Sequence, residues 1–345
     1  MPELPSFKAP DFSQMLKVLA KQRSDRPVLF ELFMNGPLYE RLSGKPQPKD
    51  PGMLAWFGWV AEAFTKAGYD YVTTHASGFH FAQHHRDQKR TTSLNDANDI
   101  TNWAEFEAYQ WDDPDNYDVS HYAKLDTVMP EGMKAMVMGP GGVLENVIAL
   151  TGYDNLCYML YEDRALVKAI VDKVGSLLLK YYEGVAGYDS VGFLCSNDDW
   201  GFNTQTFLST DDMREFVFPW HKRIVEVAHR NGKPCMLHSC GAFDKILDDV
   251  IDDIGFDARH SYEDKIIPVE EAYERMAGRI AVLGGMDMDF VCRSEPDKVQ
   301  ARAEAMLDRT KDRGGYALGT GNSVPEYVPF EGFLAILKAA HSHGR

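Results

Sequence analysis

The sequence predicts an α/β fold: a (β/α)8 TIM barrel, single domain, with an insertion after the second strand. Three observations carry this expectation. Strand signals and helix signals alternate eight times along the chain. No Ser-rich linker, charge block or change of composition divides it. The length of 345 residues falls within the range of about 200 to above 400 that one such barrel with insertions occupies. A doubly wound open sheet would show the same alternation, and the count of eight units favours closure.

The first strand is expected over 28–35, where an apolar run ends at Asn35, and a helix follows over 54–66. The second strand covers 69–75. Residues 76–127 are polar and aromatic without a strand signal and read as an insertion or lid within one domain spanning 1–345. The third strand, 134–139, leads through a Gly-rich turn into helical segments that run to 182 and break near Tyr153 and Asp163. The fourth strand is 190–197, and the helix over 210–231 stops at Gly232, the residue type that best ends a helix. The fifth strand is 234–238, followed by a helix over 243–253 that stops at Gly255. The last three strands, 257–261, 280–285 and 316–320, each precede an amphipathic helix that begins near Val269, Pro296 and Phe330.

Composition bounds the function. Hydrophobic residues make up 44% and charged residues 26%, as in ordinary globular proteins. A net charge of −16 opposes nucleic acid and anionic lipid, so neither is an expected partner. No apolar run approaches the about 20 residues that span a bilayer, and the first residues lack the layout of a signal peptide. The five cysteines, at 157, 195, 235, 240 and 292, have no framework spacing, which points to reduced thiols and a cytoplasmic setting.

In α/β barrels the chemistry lies at the C-terminal ends of the strands, where the loops converge on one mouth. The strand ends here offer Glu31, Asn35, His75, Gly139 to Glu145, Asn197, Asp198, Asp199, His238, Cys240, His260, Asp287, Asp289 and Asn322. The sharpest element is His238-Ser239-Cys240. Residues two apart in an extended segment share a side, so an imidazole and a thiolate at this spacing fit one borderline cation such as zinc. The alternative is a capping histidine beside a small buried thiol.

Further segments decide between these readings. Asn197-Asp198-Asp199-Trp200-Gly201, the helix carrying Pro219, Lys233-Pro234 and His238-Ser239-Cys240-Gly241 together resemble the central signature of the uroporphyrinogen decarboxylase superfamily. Gly139-Pro140-Gly141, the run from Arg279 to Asp287, and Gly319-Thr320-Gly321-Asn322-Ser323 with Pro329 resemble its other strand-loop units. The true decarboxylases hold substrate carboxylates with arginines near the first strand and the pyrroles with an aspartate after the second. This chain has Glu31 to Asn35 and Thr74-His75 at those places, and Thr320 where the last-strand histidine of the family stands. It is closer to the zinc-dependent corrinoid methyltransferase branch, which the resemblance implies would use zinc, with a corrinoid as cosubstrate and a corrinoid protein as partner. That branch takes its zinc with His-x-Cys and a second cysteine after the last strand, a position occupied here by Asn322. A substitute ligand is therefore sought in His75, His260, Glu145 or Asp198.

The metal set expected is His238, Cys240 and His260. The catalytic set is Asp198, Asp199 and His75, and the substrate contacts are Glu31, Asn35, Gly141, Asn197, Trp200 and Asn322. Of the paired carboxylates, Asp198 is expected to face the mouth and Asp199 to satisfy turn amides beside Trp200. The insertion carries Phe79-His80-Phe81, His84-His85, Arg86, Lys89-Arg90, Trp103, Phe106, Tyr109 and Trp111, which suits a lid over a bulky substrate or a contact in a homodimer. Gly139-Pro140-Gly141-Gly142 reads as a tight turn, since no Gly-Lys-Ser/Thr follows. The resulting expectation is a metal-assisted methyltransferase or demethylation enzyme acting on a small molecule. A cofactor-free decarboxylase or lyase, and a noncatalytic tetrapyrrole or corrinoid carrier, are the alternatives.

Overall fold

The computed structural model describes residues 4–49, 52–82, 93–95, 98–276 and 278–344. Seven parallel strands form one curled sheet in chain order. They are β1 Tyr71–His75, β2 Lys134–Met138, β3 Val191–Asn197, β4 Cys235–His238, β5 Ala258–His260, β6 Ala281–Leu283 and β7 Tyr316–Ala317. Each lies within a segment expected to be a strand. Their runs are almost wholly buried, as parallel strands covered by helices must be.

The expected first strand departs from this pattern. Residues 28–34 make isolated parallel bridges, Leu29 with Leu318 and Met34 with Val324, rather than a ladder. On the side of β1 the backbone is satisfied by side chains instead. The Tyr71 hydroxyl accepts the Glu31 N–H at 2.8 Å and donates to the Glu31 carbonyl at 2.5 Å, and Thr73 donates to the Leu32 carbonyl at 2.6 Å. With those groups already paired, no ladder is needed to bury them. The segment thus links β7 to β1.

Helices cover the sheet. Met53–Ala67 ends at Gly68, whose φ of 91° suits glycine. The stretch after β2 divides into Val143–Thr151, Tyr153–Glu162 and Arg164–Ala186, broken at Gly152 and Asp163 as expected. The stretch from 210 contains a π-helical turn, Met213–Val217, before Phe218–Arg230. The helix expected over 243–253 is reduced mainly to the π-helical turn Asp249–Ile254. Its first residues are held out of helix because Ala242 donates to the Phe202 carbonyl at 2.9 Å and Phe243 stacks on Trp200.

The segment after β1 is built on aromatic contacts. Phe79 meets Phe81, Tyr117 and Tyr181, and Trp111 meets Phe81, Phe106 and Tyr109. His84, His85, Arg86, Lys89 and Arg90 lie outside the described residues. Among the described residues, no helix is long and apolar enough to cross a membrane.

Candidate functional site

Strands β3, β4 and β5 end side by side, with Asn197 opposite His238 and His238 opposite His260. Just beyond them, one ligand atom from each of Asp199, His238 and Cys240 lies within 4.8 Å of the others. An Asp199 carboxylate oxygen also accepts the Cys240 N–H at 2.8 Å. The Cys240 sulfur receives the Asn322 side-chain amide at 3.3 Å and the Ser261 hydroxyl at 3.5 Å. Burial, then the negative charge of Asp199, pushes the Cys240 thiol up to about 12. Without a cation the sulfur therefore keeps its proton at neutral pH.

The two histidines divide the work. His260 is fully buried; its Nε2 lies 3.2 Å from the Thr320 carbonyl and its Nδ1 lies 2.8 Å from Nδ1 of His238. A carbonyl only accepts, so Nε2 of His260 carries the hydrogen. Burial holds the proton affinity of both rings well down, His238 to about 4, so both are neutral. His260 Nδ1 is then bare and must accept from His238 Nδ1–H, which leaves Nε2 of His238 as its lone-pair donor. This outer partner orients an imidazole in the way metal-binding histidines are usually oriented. His260, expected among the ligands, is instead used up at both nitrogens.

The expected orientation of the aspartate pair is reversed. Asp198 is fully buried and accepts the N–H groups of Leu144 and Glu145 at 2.9 and 2.8 Å, capping Val143–Thr151 from a distant strand. Nε2 of His221 lies 2.8 Å from the same carboxylate, and Nδ1 of His221 lies 2.9 Å from the Ser196 hydroxyl. A Cβ on Gly142 would sit 2.0 Å from the Asp198 Cβ, so glycine is what allows this approach. Glu145 stands beside both aspartates, and burial followed by their charges pushes its carboxyl up to about 8.

Residues 98–343 match the family model described as Uroporphyrinogen decarboxylase (URO-D). The chain is a member of the uroporphyrinogen decarboxylase family. Among curated relatives, the uroporphyrinogen decarboxylase of Anaeromyxobacter dehalogenans (strain 2CP-C) is 27% identical over 194 residues, 56% of this chain and 53% of that protein. That of Bacillus mycoides (strain KBAB4) is 27% identical over 183 residues, 51% of this chain and 48% of that protein. The chain thus spans about half the length of these curated relatives. A solved methyltransferase from Methanosarcina mazei has the same fold, with a TM-score of 0.72 at 16% identity over 97% of this chain and 99% of that one.

Several residues expected at the mouth of this family member lie elsewhere. Trp200 is fully buried against Phe218, His221 and Phe243 and belongs to the core, not to a substrate surface. Asn35 caps Gly36–Ser43 through the Leu38 N–H at 2.8 Å and donates to the Val324 carbonyl at 3.1 Å. Gly141 occupies a turn with φ of 83°, its close neighbour being the Asn146 side chain. His75 lies at the exposed end of β1, in register with Met138, and Asn197 is buried with an unpartnered Oδ1. Asn322 is at the site, but it contacts the sulfur as a donor rather than standing as a ligand. A cavity of about 600 Å³ lined by Glu263, Asp287, Cys292, Asn322 and Tyr327 adjoins it.

Sequence reasoning missed His221. The signal was present: His221 sits among buried Val217, Ile224, Val225 and Ala228 on the apolar face of its helix, and a histidine there needs a buried partner.

Glu31 is fully buried and bonded to both the N–H and the hydroxyl of Thr320, the N–H at 2.9 Å. The Thr320 hydroxyl also lies 2.6 Å from the Asn322 carbonyl, which must take its only hydrogen, so the Glu31 contact needs a carboxyl proton. Burial pushes Glu31 up to about 8, in agreement. Between its ordinary range near 4.5 and about 8, the folded chain holds a proton the unfolded chain has released. Stability from this site therefore falls as pH rises through that window, by up to a few kcal/mol. Glu31→Gln, whose amide replaces the carboxyl proton as donor to Thr320, should flatten that part of the decline in thermal melts. An unchanged profile in Glu31→Gln would show that Glu31 is ionised.

Proposed function

We propose that this member of the family is a metal-assisted methyltransferase or demethylation enzyme, moving a methyl group between a corrinoid or methylated donor and a small-molecule acceptor. The observation that carries the reading is the convergence of Asp199, His238 and Cys240 within 4.8 Å. The donor set of carboxylate, imidazole and thiol fits zinc with one position left open, the arrangement of catalytic rather than structural sites. The lone pair left on His238 and the two donors aimed at the Cys240 sulfur support the same fit. Asp199 would take the place that the second cysteine holds in the methyltransferase branch, and Asn322 would support the thiolate. Bound zinc would supply a cation that keeps an acceptor thiol deprotonated at neutral pH. Glu145, beside Asp199, would exchange the reaction's proton with the mouth.

What speaks against uroporphyrinogen itself is the place where the decarboxylases carry arginines. There this chain has Glu31, buried and neutral, and Asn35, spent on a cap. Each unpaired substrate carboxylate would cost several kcal/mol to bury. In this reading the residues 28–34 complete an eight-stranded closed barrel, the aromatic segment after β1 is its lid, and a corrinoid protein or a second copy of the chain docks at the mouth.

The test is metal content with turnover. Anaerobically purified protein should hold about one zinc per chain and produce no coproporphyrinogen from uroporphyrinogen. Protein that stays metal-free after zinc reconstitution would overturn the reading, and so would coproporphyrinogen among the products.

A further inference from the structure

We propose that Arg259 is the binding residue for an oxyanion group carried by the substrate of this site. Arg259 lies in β5, next to His260, and is only 4% exposed. Its guanidinium lies over the Phe243 ring at 4.0 Å and the Tyr262 ring at 4.7 Å, and these two rings stand in the loops that also carry Cys240 and Ser261. Among the described residues no carboxylate pairs with it, and its Nε is buried without a hydrogen-bond partner. The two half-buried arginines among the described residues are, by contrast, both paired: Arg26 with Asp70, and Arg302 with Asp264 and Glu270.

A buried cation without a paired carboxylate is unfavourable, and two aromatic faces with the Tyr262 hydroxyl beside it offset only part of that cost. The missing partner is thus a group that arrives with a ligand. The planar fork of a guanidinium selects oxyanions, which it binds through two parallel N–H donors. Arg259 also lies within the field of the candidate centre, since its charge acts on both His238 and Cys240. The inference rests on the reading that this mouth binds a small-molecule substrate, but not on the metal.

The experiment uses the full chain, with and without chelator, at fixed ionic strength. Propionate, methanesulfonate and inorganic phosphate are each compared with chloride by thermal shift and calorimetric titration. At least one of the three should stabilise the wild type, and the one preferred identifies the oxyanion as carboxylate, sulfonate or phosphate. In Arg259→Met its affinity should fall by roughly tenfold or more, as expected for the loss of a charge-assisted hydrogen bond. The melting temperature of Arg259→Met without anions should stay level or rise, because an unpaired charge has been removed. Arg259→Lys, which keeps the charge but loses the fork, should bind with intermediate affinity and serves if the methionine variant does not fold. No stabilisation by any probe overturns the proposal. So does equal stabilisation of wild type and variants, or a lower melting temperature for Arg259→Met with unchanged binding. Loss of zinc binding with anion binding intact would count against the metal reading alone.

Discussion

Asp198→Ala is expected to destabilise the folded chain by about 3–5 kcal/mol, since it leaves three buried polar groups without their acceptor at about 1–3 kcal/mol each. Asp198 satisfies three groups at once: the N–H groups of Leu144 and Glu145 and the His221 ring. Alanine leaves the first turn of Val143–Thr151 without its acceptor and His221 without the partner that fixes it against Ser196. No water can substitute readily, since Asp198 and His221 are both essentially unexposed. The melting temperature should drop by roughly 4–7 °C, while zinc content per folded chain stays the same. Asp198→Asn, which keeps one accepting oxygen, should fall between. A melting curve of Asp198→Ala within a degree or so of wild type, with metal or activity lost instead, would return Asp198 to the role expected from the sequence.

The second large effect falls on the metal. Cys240→Ser should weaken zinc binding by more than the about 10–100-fold that removal of an outer partner costs, since a hydroxyl is a much poorer zinc donor than a thiolate. Asp199→Asn should also release metal, with the additional loss of the acceptor for the Cys240 N–H. His260→Ala should show the smaller, outer-partner effect, because it removes the group that holds His238 in its donor tautomer. Competition with a coloured chelator orders the three variants. An Asp199→Asn protein that holds zinc as tightly as wild type, while His260→Ala releases it, would move the third ligand to His260.

The order of strands and helices was legible in the residues themselves. Short apolar runs that end in glycine or polar residues, separated by amphipathic stretches, are local signals, and β1 to β7 lie where those signals stand. The pairing of His238 with Cys240 was legible for the same reason, since both belong to one extended segment. The continuity of 28–35 was not, because whether its backbone joins a ladder depends on the Tyr71 and Thr73 hydroxyls that reach it from β1.

The facing of Asp198 and Asp199 is where local reasoning failed. Alternation of sides holds only while the chain remains in a strand, and β3 ends at Asn197. Beyond it, each side chain goes to whatever partner the neighbouring elements present. The N-terminus of Val143–Thr151 offers two unpaired N–H groups, and Gly142 leaves room to reach them, so Asp198 turns there. Asp199 is left to meet Cys240, 41 residues away in sequence. His260 was assigned by its type and its place at a strand end, but its role was set by Thr320 and His238, which occupy both its nitrogens. The sequence alone determined which residues carry the chemistry-bearing atoms and on which strands they stand. Only the tertiary structure decided which of those atoms remain free, because a buried polar group is claimed by the partners that packing brings within hydrogen-bond reach.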